Sequence, residues 1–160
     1  MAAALAIVGL QLLPSPPRVN PPVNPSHTLE ANTTVPHHVS YLLRQACMDC
    51  HSNETRWPWY SHVAPFSWGV AKDVAKARKT MNFSEWSTQS GRQPAAAVGT
   101  LAAICTSVKG GRMRLPKYKL LHSEARLSSA EREAICAWTT TEITNYMHIK
   151  RRGLLTRASR

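Results

Sequence analysis

The run Cys47-Met48-Asp49-Cys50-His51-Ser52-Asn53-Glu54-Thr55-Arg56-Trp57-Pro58-Trp59-Tyr60-Ser61 places two thiols and an imidazole side by side and follows them closely with three aromatic rings. The cysteines are i and i+3, so one helical turn presents both sulfurs on the same side, and His51 can swing over that surface. Such a trio can serve a zinc ion, a redox disulfide or a haem. Zinc asks for four ligands, usually from two Cys/His pairs, whereas the other two cysteines, Cys105 and Cys136, are single and far apart. A thioredoxin-like pair asks for a βαβ context, and no stretch of this chain alternates with period two long enough to argue for a sheet. The spacing CxxCH is instead that of c-type haem attachment. There, two thiols add across vinyl groups and the adjacent imidazole becomes an axial iron ligand.

The aromatics bear on the choice. A porphyrin is a broad apolar disc that only large flat or branched side chains can keep from water. Trp57, Trp59 and Tyr60, with Pro58, Phe66 and Trp68, follow the attachment point closely enough to wall such a pocket. Packing an ordinary core is an equally good reading for any one of them. In a small domain, core and pocket are expected to be nearly the same thing.

Periodicity around this stretch indicates helices. Pro36 followed by HHVSYLLRQACMDC predicts a helix that starts near Pro36 and runs into the cysteines. SWGVAKDVAKARKTM carries Val70, Val74, Ala77 and Met81 at helical spacing, with Lys72, Lys76 and Lys79 towards water. Asn82 with Glu85, and Ser128 with Glu131, have the spacing of capping boxes. The second box opens a helix in which Leu127, Ala134, Ile135 and Trp138 share a face. PAAAVGTLAAICTSV predicts a further helix ending at Gly110-Gly111, and an irregular loop is expected from Gly110 to His122. Cys105 and Cys136 fall in apolar helical stretches, where a buried free thiol is the ordinary role, with a disulfide as the alternative if the chain is exported. The class expected is mostly α, a small cytochrome c-like helical domain wrapped around one haem.

Composition sets the frame. The chain has 160 residues, enough for one domain with tails. Its formal charge is +11, concentrated in residues 81–160, and Lys150 to Arg160 add five positive charges and no negative ones. That excess suits acidic partners, an anionic membrane surface or simply a solvated tail. Nucleic acid is the weaker expectation, because no binding module accompanies the basic residues. Residues 1–13, MAAALAIVGLQLL, are apolar except for Gln11. They are too few to span a bilayer, which takes about 20 residues in a helix. They are read as an export or anchor segment, and residues 14–34, rich in proline, as an extended linker at roughly 3 Å per residue. Residues 35–146 are then the haem-binding domain and 147–160 a basic tail.

The runs DCHSNETRWPWYSHVAPFSWGVAKDVAKARKTMNFSEW and YKLLHSEARLSSAEREAICAW resemble the bacterial haem-binding domain family, whose members are similar to small monohaem c-type cytochromes. The similarity extends from about Asn20 to Trp138 and includes the NPPV segment at Asn20-Pro21-Pro22-Val23. What the resemblance implies is covalent haem c on Cys47 and Cys50, with His51 as the proximal iron ligand. It also implies a distal methionine, followed by proline, upstream of the YxxLH segment. Met113 is the matching position, although GRMRLPKY sets Arg114 and Leu115 between it and Pro116.

The residues themselves point to the same methionine. Met48 lies between the thiols, Met81 and Met147 fall on helices, and Met1 is terminal, whereas Met113 follows two glycines in a loop. His122 or His62 in its place, an open sixth position, and Met113 as a gap-filling core residue are the alternatives. With both axial sites filled, the expected role is single-electron transfer, more that of a carrier than of an enzyme. Acidic redox proteins are the expected partners, steered by a basic surface that includes Lys117 and Lys119. Membrane association through the N-terminus and a place in the periplasm, or on the outer face of the bacterial cytoplasmic membrane, complete the reading. An open sixth site would instead make a haem enzyme or a sensor of gas or peroxide, and a haem module serving an attached complex is a third class.

Overall fold

A computed structural model describes residues 8–111 and 116–158, for which the backbone is mostly helical, with no strand among the described residues. The helices are α1 (Leu29–Asn32), α2 (His37–Ala46), α3 (Met48–His51), α4 (Phe66–Thr80), α5 (Pro94–Lys109), α6 (Pro116–Leu121) and α7 (Ser129–Ala158). A short 3-10 turn at Pro25–His27 precedes α1, and others at Trp59–His62, Phe83–Glu85 and Ser123–Ala125 lie between the helices.

The scaffold is the pair α5 and α7. In α5 the buried residues are Ala97, Leu101, Ile104 and Val108, a spacing of four, three and four that makes one stripe along the helix. It faces Ile135 and Trp138 of α7 in the core. Gly110 caps α5, and Gly111 turns the chain with φ 65°, a backbone conformation that glycine adopts without strain. At the start of α7, Ser128 Oγ accepts from Glu131 N at 3.2 Å while Glu131 Oε2 accepts from Ser128 N at 2.7 Å. This is the reciprocal capping box expected there. A disulfide joins Cys105 of α5 to Cys136 of α7, so the free-thiol reading of those residues is replaced by the bridge.

Helix α2 lies against this pair through Val39, Leu42 and Leu43, the α-periodic positions of HHVSYLLRQA. Phe83 and Trp86 fill the remaining space, and Trp86 is fully buried. A Cβ at Gly91 would meet Trp86 Nε1 at 2.6 Å, so the indole can lie here only because that position has no side chain.

Asn82, which has the spacing of a capping box, caps the single turn Phe83–Glu85 by accepting from Ser84 N, and Pro94 starts α5. Two expectations need correcting. The segment from Gly110 to His122 is not irregular throughout, because Pro116 starts the short α6. The linker 14–34 is not a plain extended leash. From Val19 onwards it is fastened: Arg78 donates to Val19 O at 2.8 Å, Asn20 Nδ2 donates to Thr55 O at 2.9 Å, and Leu29 is buried in the core. Even in the apolar start, the one polar side chain has a partner. Gln11 donates to Ala64 O at 3.2 Å and accepts from Ala64 N at 3.0 Å. At the other end, the backbone of α7 continues through the basic tail to Ala158.

Candidate functional site

Cys47 both ends α2 and begins α3. Its backbone leaves the helical path, with φ −131° and ψ −41°, while its carbonyl accepts from Cys50 N at 3.1 Å and from His51 N at 2.9 Å. The chain therefore makes a fresh single turn in which the two thiols and the imidazole hold their relative places through main-chain hydrogen bonds. Cys47 and Met48 pack on the edge of the core, and α3 lies across α4.

His51 is only 8% exposed. Its Nδ1 lies 3.1 Å from the carbonyl of Met81, the residue that follows α4. A carbonyl can only accept, so the proton of the neutral ring sits on Nδ1 and Nε2 keeps its lone pair. Burial lowers the His51 pKa against the opposing effect of the Met81 bond, which favours the neutral, metal-ligating form. An acceptor on the far ring nitrogen, such as this carbonyl, is what orients histidine ligands in metal proteins.

Both cysteines are free and partly buried. Burial, reinforced by Cys50, pushes the Cys47 thiol up to about 12. Burial, with Asp49 and Asp73 against the opposing Arg78, pushes Cys50 up to about 11. Redox dithiols work with the opposite shift. Nor do three or more His, Cys, Asp or Glu side chains converge among the described residues as a protein-only metal site would require. The donor set therefore suits a group that brings most of its own ligands.

The residues after the motif are the frame of the turn. Ser52 Oγ donates to Met48 O at 2.7 Å, and Thr55 Oγ1 donates to Asp49 O at 2.7 Å. Asn53 N donates to Ser84 Oγ at 3.0 Å, and Asn82 Nδ2 donates to Asn53 Oδ1 at 2.7 Å. Ser52, Asn53 and Thr55 are buried polar residues, and these bonds offset the cost of removing them from water. Arg78 completes the frame from α4, donating to Ser52 O at 2.7 Å, Thr55 Oγ1 at 2.7 Å and Asn20 Oδ1 at 2.8 Å. Asp49 faces the other way. It takes a two-pronged bond from Arg56 at 3.0 and 3.1 Å, and a third from the Tyr118 hydroxyl of α6 at 2.9 Å.

The aromatic residues are divided between two places. Trp57 is half-buried and donates to Asn20 Oδ1 at 3.2 Å. Tyr60 is half-buried, with its hydroxyl 2.9 Å from His122 Nε2. Trp59, edge-on to Tyr60, is 78% exposed, and Phe66 is 63% exposed. Trp68 has a buried indole N–H with no hydrogen-bond partner. None of these belongs to the core cluster, whose rings are Phe83, Trp86 and Trp138, so core and aromatic segment are distinct regions. An orphaned buried donor beside a row of available rings fits a large apolar disc that carries acceptor groups. Met113 lies outside the described residues. His62 is exposed, and His122 is stacked on Tyr118 at 4.1 Å as well as bonded to Tyr60. The Met81 carbonyl, Ser84, Asn82 and Arg78 are site residues that sequence reasoning missed. A main-chain acceptor leaves no mark in a sequence, although a lone Arg on the apolar side of a Lys-rich helix was a readable signal.

A CxxCH turn with a buried imidazole whose free nitrogen is set by its neighbour, presented by an all-helical domain, defines a class: a haem-binding module. The family model described as Haem-binding domain matches residues 5–141, and the chain belongs to that family. No curated protein and no solved structure matches it.

Proposed function

We propose that the chain carries haem c covalently on Cys47 and Cys50, with His51 as the proximal and Met113 as the distal iron ligand, and acts as a single-electron carrier. The observation that carries the reading is the His51 Nδ1 bond to Met81 O, because it leaves Nε2 as the ligating nitrogen on the very turn that bears both thiols. When bound, haem supplies a one-electron ferric/ferrous couple. The polypeptide does the rest. The Met81 carbonyl orients the imidazole, the Ser52–Thr55 network keeps the attachment turn in one conformation, and Trp57, Trp59 and Tyr60 shield the group from water. The unpaired N–H of Trp68 could donate to an acceptor on the group. A thioether from Met113 favours reduced iron and raises the potential.

The Cys105–Cys136 disulfide supports an oxidising compartment, in keeping with the periplasm or the outer face of the cytoplasmic membrane. No helix among the described residues is long and apolar enough to cross a membrane, and residues 1–7 lie outside the description. Cell fractionation that finds the folded chain only in the cytosol contradicts this placement. The formal charge of +11 supports acidic redox partners, and reduction by such a partner should slow as ionic strength rises.

The two extra residues between Met113 and Pro116 favour one second reading, a sixth position open to a gas or peroxide. Carbon monoxide added to the ferrous protein separates the two. A closed electron carrier resists it and loses its weak far-red charge-transfer band in Met113→Ala; rapid binding by the unmodified protein favours the sensor or enzyme.

A further inference from the structure

The proline-rich segment ahead of the helices reaches across the attachment turn, and its Asn20 carboxamide is where three other parts of the chain meet. Nδ2 donates to Thr55 O at 2.9 Å, while Oδ1 accepts from the Trp57 indole N–H at 3.2 Å and from Arg78 Nη2 at 2.8 Å. Both Trp57 and Arg78 can only donate and the Thr55 carbonyl can only accept, so the orientation of the carboxamide is settled by its neighbours. The backbone on either side of Asn20 is fixed as well. Val19 O accepts from Arg78 Nη1 at 2.8 Å, and Pro22 O accepts from Asn53 Nδ2 at 3.3 Å. Pro21 and Pro22 follow Asn20 directly, and their locked φ lowers the entropy lost in holding this extended course.

We propose that Asn20 is a positioning residue of the haem site: by gripping the main chain at Thr55 and the ring of Trp57 with one side chain, it sets how closely that ring covers the haem. The inference rests on the shielding role proposed for Trp57. Trp57 is half-buried and stands outside the core cluster, so core packing does not dictate its tilt. Two anchor points two residues apart, one on the backbone and one on the ring, do. The anchor is itself referenced to the attachment turn, because Arg78 also donates to Ser52 O and Thr55 Oγ1 at 2.7 Å each. A linker residue 35 positions before Thr55 is thereby part of the site, and the segment is more than a tether.

The test uses full-length holoprotein matured in cells competent to attach haem, with retention of pigment through acidified organic extraction checked for every variant. Asn20→Leu removes all three carboxamide bonds without adding charge. In the ferrous protein, the Trp57 indole N–H should then exchange with deuterium about threefold to about tenfold faster, the equilibrium factor of one hydrogen bond of ordinary net strength. The reduction potential should fall as water gains access to the haem. Asn20→Asp keeps the acceptor and should restore the slower indole exchange. In a Trp57→Phe background, where the N–H is already gone, Asn20→Leu should lower the potential by less than it does alone. Ser15→Ala removes the Arg18 bond upstream in the linker and should move neither readout. Exchange and potential unchanged in Asn20→Leu, with Trp57→Ala lowering the potential, overturn the positioning role alone. If Asn20→Leu does not accumulate, Trp57→Phe reads the same bond from its other end, and a potential equal to that of the unmodified protein overturns the role. An unchanged potential in Trp57→Ala removes that ring from the haem shield and overturns the inference with it, whereas pigment extracted from the unmodified protein overturns the proposed function itself.

Discussion

The attachment turn of the proposal, Cys47 to Thr55, and its distal segment, Pro116 to His122, are both short pieces of chain beside longer helices, but they are held in different ways. Around the attachment turn, the main-chain carbonyls of Cys47, Met48, Asp49, Ser52 and Met81 all accept hydrogen bonds, and His51, Ser52, Asn53 and Thr55 are buried. In the distal segment, the Tyr118 hydroxyl of α6 donates to Asp49, and His122, stacked on Tyr118, meets the Tyr60 hydroxyl. Several backbone-directed bonds in a buried site favour a single arrangement, whereas a lone side-chain hook to a carboxylate contributes about 1.5–3 kcal/mol and is lost with one atom. Under the proposed ligation, the proximal ligand would be built in, while the distal side would rest on side-chain contacts.

The largest expected effect breaks the contrast altogether. Cys47→Ala with Cys50→Ala should give protein that retains no haem through acidified organic extraction, and His51→Ala should leave attached haem without its proximal nitrogen, read as a high-spin or displaced spectrum. Next, Cys105→Ser with Cys136→Ser opens a loop of sequence separation 31 and should cost about 3–4 kcal/mol by the chain-entropy estimate, seen in denaturant midpoints. Because the α5–α7 scaffold underlies both regions, the haem spectrum of the folded variant should be unchanged; a spectral change would mean that the bridge reaches the site.

Arg78→Met sharpens the comparison from the proximal side. It leaves the Ser52 carbonyl and the Thr55 hydroxyl without their guanidinium donor and should cost about 2–3 kcal/mol, with faster amide exchange localised to residues 52–55. Arg78→Lys should recover little, since an ammonium cannot reproduce the fork. Equal loosening of the distal segment would contradict the division drawn above. The smallest effect concerns the Ser128/Glu131 box. Hydrogen bonds from Ser128 depress the Glu131 pKa, so the box stabilises α7 above the ordinary carboxylate value and its contribution disappears as pH falls through the depressed one. Glu131→Gln should flatten that part of the acid limb in a thermal melt series.

Much of this was legible in the sequence. CxxCH announced the turn, Pro36 and Pro94 the starts of α2 and α5, Gly110-Gly111 the end of α5, and the Ser128/Glu131 box the start of α7, because each is a local rule acting within four residues. Non-local pairings were not legible. The partner of Cys105 depends on how α5 and α7 pack, and the role of Met81 lies in a carbonyl every residue possesses. The choice of Trp86 over Trp59 for the core depends on Gly91, five positions further on, leaving room for an indole. Helix α6 was missed because six residues carry too little periodicity to read.

The most direct test of the central claim is an alkaline pyridine spectrum, paired with extraction into acidified organic solvent, of the protein matured in an exporting bacterial host. The account predicts pigment that stays with the polypeptide and a spectrum showing both vinyl groups saturated. Pigment that passes into the solvent, or a colourless product from cells that mature other c-type proteins, would contradict it.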